Sequence, residues 1–345
     1  MKNKTFIFLS GIAAFTVLFL FPQEFASGFS AGLSNCANVV IPSLFPFLAA
    51  SSLAGSGEMP KCVKKIAEPL TKRLYRLPCD CLPAIILGQV GGYLSGAKAA
   101  DSLYSSGIIS RSQARRLLLF CINSGMGFSV NAVGNALLNS RESGKILLLS
   151  LCISSLFIGF FIRFLPDSPA EKKVINPQKI TFSRAVVNSV SSSSSAMLVC
   201  CGFVCFFSGI ISVITASVGN PTASLALSCL LEVTSGCASA AGNVSLPVIA
   251  AVCAFGGICV HMQIFSLSEA FHVSIPIFYL FRIFHSVSAF AVCKIILFFF
   301  PIDIQTSLSV TADFEMWSFS APAAISLLFL CSLLILDLDN TKKLC

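Results

Sequence analysis

The chain has 345 residues, 55% of them hydrophobic and only 11% charged, with a mean hydropathy of +0.87. Soluble domains carry ~25% charged residues, so this balance, with 32 Phe and repeated apolar runs of about twenty residues, excludes an ordinary soluble domain and predicts a polytopic membrane protein. The formal net charge of +8 sits in the loops between apolar runs, which marks topology rather than a nucleic-acid surface.

In a bilayer this length predicts one helical unit of about eight to ten segments. The 16 cysteines do not form a disulfide scaffold. Most, such as Cys121, Cys152, Cys200, Cys253 and Cys293, lie inside apolar runs, where thiols behave as small hydrophobes. Cys79-Asp80-Cys81 is the one tight pair, and a CxC without further ligands does not make a metal site.

Lys2 and Lys4 precede an apolar stretch at residues 6–21, which reads as a retained signal anchor; Ala26-Ser27-Gly28 supplies the small residues that a cleaved signal would need. The next segment, 38–53, contains Pro42 and Pro46 and is expected to kink. Residues 58–76 hold Lys61, Lys64, Lys65, Lys72, Arg73 and Arg76, a cytoplasmic loop by the positive-inside rule.

Residues 82–98 (LPAIILGQVGGYLSGAK) begin as an apolar run and then collect Gly88, Gly91, Gly92 and Gly96, with Ser95 among them and Lys98 just beyond. Each glycine costs a helix ~1 kcal/mol against alanine, and irregular backbone at membrane depth survives only where protein buries it or it lines a polar cavity. The stretch fits a re-entrant or broken helix at a solute site, or a glycine-lined packing face with Lys98 snorkelling. Arg111, Arg115 and Arg116 follow it, so it starts and ends on the cytoplasmic side, which favours re-entry. Residues 117–138 are interrupted as well, by Asn123-Ser124-Gly125, and buried amides there need partners or a ligand. Residues 146–162 cross back, and 166–182, with three prolines, read as a cytoplasmic linker.

The second half opens with serines 191–195, expected to bond back to helix carbonyls. Residues 224–241 carry Glu232, Thr234 and Ser235; 246–267 carry Phe255-Gly256-Gly257, His261 and Gln263; 275–300 carry Arg282 and His285. The loop at 302–317 is acidic and suits the outer face, and 321–336 return inside. The two halves share an order of parts with opposite charge-assigned directions, the pattern of an inverted-topology repeat with paired interrupted segments at a midplane site. The expected organisation is a signal-anchor helix at 1–30, a first repeat at 38–165, the linker at 166–182, a second, inverted repeat at 183–300, and an outer loop with a C-terminal crossing at 301–345.

A carboxylate in an apolar segment costs ~2.5–3.5 kcal/mol on insertion scales, so Glu232 is expected to hold a coupling cation, a proton or a ligand, or to pair with Lys98 or Arg282. Arg282 offers a bidentate fork to an organic carboxylate. The candidate substrate-binding residues are Gly92, Tyr93, Ser95, Gly96, Lys98, Asn123, Ser124, Gly125, Glu232, Thr234, Ser235, His261, Gln263 and Arg282.

These stretches resemble the YlbJ-type sporulation integral membrane proteins, which carry two nucleoside-recognition gate domains. The resemblance rests on the IPSLFPF segment at 41–47, GGYLSGAK at 91–98, Asn123-Ser124-Gly125, LEVTSG at 231–236, Phe255-Gly256-Gly257 through His261 and Gln263, and Arg282 with His285. Two departures stand out: Leu94 and Met126 occupy positions where that family carries proline. The resemblance implies an all-α polytopic fold with gate domains like those of concentrative nucleoside transporters. It also implies export of dipicolinic acid from the mother cell across the outer forespore membrane.

The residues themselves fit a small organic anion, through Lys98, Arg282 and exposed helix N-termini. A nucleoside or other small-solute permease and a non-transporting membrane scaffold are the alternatives. HExxH and repeated acidic pairs are missing from the sequence, and Gly144-Lys145 lacks the rest of a phosphate loop, so neither an enzyme nor a cofactor is expected. The expected partners are an anionic small molecule and the lipid bilayer, with a coupling ion, H⁺ or Na⁺, left open.

Overall fold

The computed structural model describes residues 2–55, 59–165, 181–218 and 220–302. Nearly all of the expected linker, and all but the first two residues of the expected outer loop and C-terminal crossing, lie outside the described residues. Regular structure among the described residues is entirely helical. Among the described residues, five helices are long and apolar enough to cross a bilayer: Pro22–Leu53, Arg141–Ile162, Phe182–Val218, Leu246–Leu267 and Ile275–Phe299.

Helix α1 spans Lys2–Leu20 and α2 spans Pro22–Asn35; a π-helical turn, Cys36–Val40, joins α2 to α3, Ile41–Gly55. The sequence places the start of this crossing at residue 38, whereas the structure carries the helix back to Pro22. Its glycines belong to a helix–helix contact. Gly28 and Gly32 lie against Ser208, Ser212 and Cys205 of α9, Phe182–Val218, where any added Cβ would overlap that helix. Lipid tails are as apolar as side chains, so close backbone approach through small residues, rather than hydrophobic burial, holds such helices together.

Residues 58–76 also differ from the expected loop. Lys61–Leu70 forms α4, followed by a π-helical turn Thr71–Tyr75 that ends on Arg76 in the left-handed conformation. Ala67, Thr71 and Tyr75 recur every fourth residue and are buried, while Lys61, Lys65, Lys72 and Arg73 face outward. Asp80 of the CxC motif forms an ion pair with Lys64 at 2.9 Å.

Two helical hairpins follow the same plan. Helix α5 (Leu82–Gly91) turns at Gly92 and packs back on α6 (Tyr93–Ser105); Gly88 and Gly96 meet at the contact. Helix α10 (Pro221–Leu231) turns at Glu232 and packs back on α11 (Val233–Ala240), with Gly236 against Cys229.

Each hairpin is followed by a broken helix. Helix α7 (Arg111–Cys121), with a Ser110–Gln113 capping box, gives way to an extended stretch and then to π-helical Gly127–Leu137. Helix α12 (Leu246–Phe255) continues past Gly256 as α13 (Gly257–Leu267). Unbroken helices α8 (Arg141–Ile162) and α14 (Ile275–Phe299) close the two series and pack on each other. Helix α9 is continuous over 37 residues. At 1.5 Å per residue it outruns a ~30 Å hydrocarbon core. Ser194 and Ser195 donate to the carbonyls of Val190 and Ser191, as the serine run predicts.

Leu117, Leu118, Phe120, Leu147, Leu151 and Ile158 are fully enclosed at the centre. Phe157, Phe161, Leu280, Ile283, Val287 and Phe298 are exposed. That inversion of the usual surface suits helices bathed in lipid.

Candidate functional site

The four helix breaks converge. Gly92 (φ +97°) needs a conformation that side-chain-bearing residues avoid, and it lies against Ser124 and Gly125. Gly125 (φ +69°) approaches so closely that an added Cβ would stand 2.7 Å from the Gly92 Cα. Gly257 is equally close to the second hairpin, where a Cβ would lie 3.1 Å from the Leu231 carbonyl oxygen and the Val233 nitrogen. Tyr93 ties the two sets together: its hydroxyl donates to the Cys253 carbonyl, and its ring lies beside Gly256.

A helix that stops inside a membrane leaves carbonyls and amides without partners, and each must be satisfied by protein. At the end of α7 the satisfaction is detailed. Arg282 donates to the Leu119 carbonyl at 2.8 Å and to the Ile122 carbonyl at 3.0 Å. Gln89 and Ser155 both donate to the Phe120 carbonyl, Gln89 at 3.3 Å. The Cys121 carbonyl sits in the groove left open by Gly88 and Gly96. Asn123 donates to Gln89 Oε1 at 2.9 Å and accepts from the Ser124 amide at 2.9 Å.

The second hairpin solves the opposite problem. At the start of α11, Glu232 Oε1 accepts from the Thr234 amide at 2.8 Å and Oε2 from the Ser235 amide at 2.6 Å. The carboxylate is thus an N-cap whose charge meets the positive end of the helix. His261 lies on α13, and its Nε2 is 2.7 Å from the Phe255 carbonyl, the last of α12. A carbonyl can only accept, so Nε2 carries the proton.

A cavity of about 40 Å³ lies where the breaks meet, lined by Ser124, Phe128, Tyr93, Glu232, Thr234 and Gln263 on the break side. Val40, Leu44, Leu48, Leu94, Cys200, Val204 and Val260 supply its apolar wall. At ~10–15 Å³ per water position the space holds about three waters. An aromatic dicarboxylic acid needs it to widen.

Of the expected residues, Tyr93, Ser124, Glu232, Thr234 and Gln263 border this cavity, while Gly92, Gly125 and Ser235 shape the turns beside it. Asn123 is fully buried behind the wall, bonded within the protein, and Gly96 is a packing contact. Ser95 donates to the Gly91 carbonyl at 3.0 Å and pairs with Ser51 at 3.3 Å. Lys98 lies one helical turn beyond Leu94 and bonds Ser192. Arg282 is 1% exposed with both terminal nitrogens on carbonyls of α7, and His261 is enclosed by Phe255, Phe278 and Tyr279. Neither lines the cavity, and Glu232 pairs with backbone amides rather than with Lys98 or Arg282. Gln89 and the apolar wall were not among the expected residues. Gln89 carried a signal, a lone amide inside the apolar start of 82–98; the wall's leucines and valines carried none.

Five apolar helices, two helical hairpins and two broken helices define a multi-pass α-helical membrane protein. Over 142 residues the chain is 29% identical to the sporulation integral membrane protein YlbJ of Bacillus subtilis (strain 168). The matched region covers 41% of this chain and 35% of that protein, so the chain is related to a sporulation membrane protein across little more than a third of its relative's length. No family model matches the chain, and no solved structure matches it.

Proposed function

We propose that the chain moves a small organic anion across a membrane, the specific substrate being dipicolinic acid and the place the outer forespore membrane of a sporulating cell. The observation that carries transport is the convergence of four helix breaks, three of which border one cavity through Tyr93, Ser124 and Glu232. Breaks at membrane depth are costly, and transporters place them at the solute site, in paired segments of an inverted repeat. In this reading the α5–α6 and α10–α11 hairpins are the paired re-entrant elements, and α7 and α12–α13 the paired broken helices. Similarity to a sporulation membrane protein supports the cellular setting.

One observation favours a second reading. Glu232 borders the cavity together with Thr234 and Gln263. That set suits a neutral, hydrogen-bonding solute such as a nucleoside. The deciding experiment is complementation of a Bacillus subtilis strain lacking YlbJ, with dipicolinate measured in the resulting spores. Restored dipicolinate supports the assignment. Spores that remain poor in dipicolinate despite a membrane-inserted chain overturn it, and nucleoside uptake by the same chain would select the second reading.

A further inference from the structure

Three helices run away from the cavity in the same direction, and all three change character within one turn. On α3, Leu44 and Leu48 line the cavity and Ser51 follows. On α6, Tyr93 and Leu94 line it; Ser95 and Lys98 follow. On α9, read toward its N-terminus, Val204 and Cys200 line it; Met197 comes next, then Ser193 and Ser192.

Cross-links show that these are one level of the structure: Ser51 bonds Ser95 at 3.3 Å, and Lys98 bonds Ser192. Leu48, Leu94 and Met197 are 2%, 8% and 4% exposed and share one apolar cluster. Beyond them the surroundings are polar. Lys98 is half-buried, Ser192 is exposed, and the Ser193 hydroxyl is buried without a hydrogen-bond partner. This direction leads to Lys61, Lys65 and Arg73 after α3, to Arg111 and Arg115 after α6, and to Arg184 at the start of α9. By the positive-inside rule it is the cytoplasmic end.

We propose that Leu48, Leu94 and Met197 form an apolar gate closing the cavity toward the cytoplasm, and that Lys98, Ser192 and Ser193 form the mouth outside it, where a small carboxylate is first held. A single apolar layer across a narrow path excludes water and ions until it parts. An ammonium among hydroxyls in partly desolvated surroundings supplies charge-assisted hydrogen bonds to a carboxylate. The carboxylate as occupant rests on the transport reading above; the gate does not.

Cys200, native to the cavity wall and 6% exposed, reports on the gate. The full chain is reconstituted in vesicles, and a membrane-impermeant sulfonate-bearing methanethiosulfonate is added to either face, with modification of the Cys200 peptide read by mass spectrometry. Wild-type Cys200 reacts slowly from both faces. The Leu94→Ser/Met197→Ser variant reacts at least about tenfold faster, from the cytoplasmic face alone, because the apolar barrier is gone. Fully buried Cys121 stays unmodified if the fold is intact; should it react, Leu94→Ala replaces the double variant with the same outcomes. Adding Lys98→Glu slows this anionic reagent and speeds a cationic one. No acceleration, acceleration from the outer face, or indifference to Lys98→Glu overturns the proposal. Acceleration without any anion uptake by the wild type leaves the gate standing and removes the transport reading instead.

Discussion

Arg282 donates to the carbonyl of Ile122, 160 positions earlier in the chain, where α7 ends. A second nitrogen of the same guanidinium holds Leu119, so the last described crossing secures a helix end in the first half. A planar fork presents separate nitrogens to the two carbonyls, whereas a lysine must reach both from one terminal nitrogen. A buried acceptor left unsatisfied costs about 1–3 kcal/mol. Arg282→Met and Arg282→Lys are both expected to lower the thermal stability of the detergent-solubilised protein by several degrees, measured by loss of the monodisperse peak after heating. An unchanged Arg282→Lys variant would show that the planar fork is not needed.

Gly88 and Gly96 make room for the Cys121 carbonyl, whereas nothing lies within 4 Å of a Cβ added at Gly202. Gly88→Ala is expected to destabilise the protein by about 1–3 kcal/mol through overpacking against backbone. Gly202→Ala is expected to be neutral or to stabilise α9 by up to ~1 kcal/mol. Thermal midpoints of the two variants in one detergent compare them directly. Equal effects would mean that α5 and α7 do not touch as described.

Glu232 has two roles that substitutions separate. Glu232→Gln keeps one acceptor for the α11 amides, while Glu232→Ala keeps none. Loss of an N-cap costs ~0.5–2 kcal/mol, so Ala is expected to be less stable than Gln. Both are expected to lose solute uptake, because Glu232 also borders the cavity. Full uptake by the Gln variant would confine Glu232 to capping.

Lys98→Ala is expected to leave stability nearly unchanged, since the side chain is half-buried and holds one bond, to Ser192. Uptake of an organic anion is expected to fall steeply, with the inserted amount, judged by blotting washed membranes, unaltered. Uptake at the wild-type rate would remove Lys98 from the path.

The breaks were legible because interruption is written in composition: Gly91-Gly92, Asn123-Ser124-Gly125, Glu232 and Gly256-Gly257 each stand out in an apolar run, and each marks a break in the structure. What fills the breaks was not legible. Arg282 and His261 looked like ligand-binding side chains, because sequence shows that a buried polar group needs a partner but not which partner. Here the partners are carbonyls released by the breaks themselves. The helical course of α2 between the anchor and residue 38 was not legible, since Gly28 and Gly32 weaken a lone helix yet let it dock closely on α9. The wall formed by Leu44, Leu48, Leu94 and Val204 was silent, because lipid-facing and cavity-facing leucines are alike in sequence.

The central claim is that the cavity at the four breaks is the solute site. Uptake of labelled dipicolinate into proteoliposomes, compared between wild type and Gln263→Leu, tests it most directly. Gln263 borders the cavity, and within the protein its amide nitrogen bonds the Cys259 thiol at 3.4 Å. Leucine there keeps the volume and removes the polar contact. The account predicts saturable uptake by the wild type and at least about a tenfold loss in the variant, the cost of one missing buried hydrogen bond to solute. Saturable uptake that is indifferent to Gln263→Leu would contradict it.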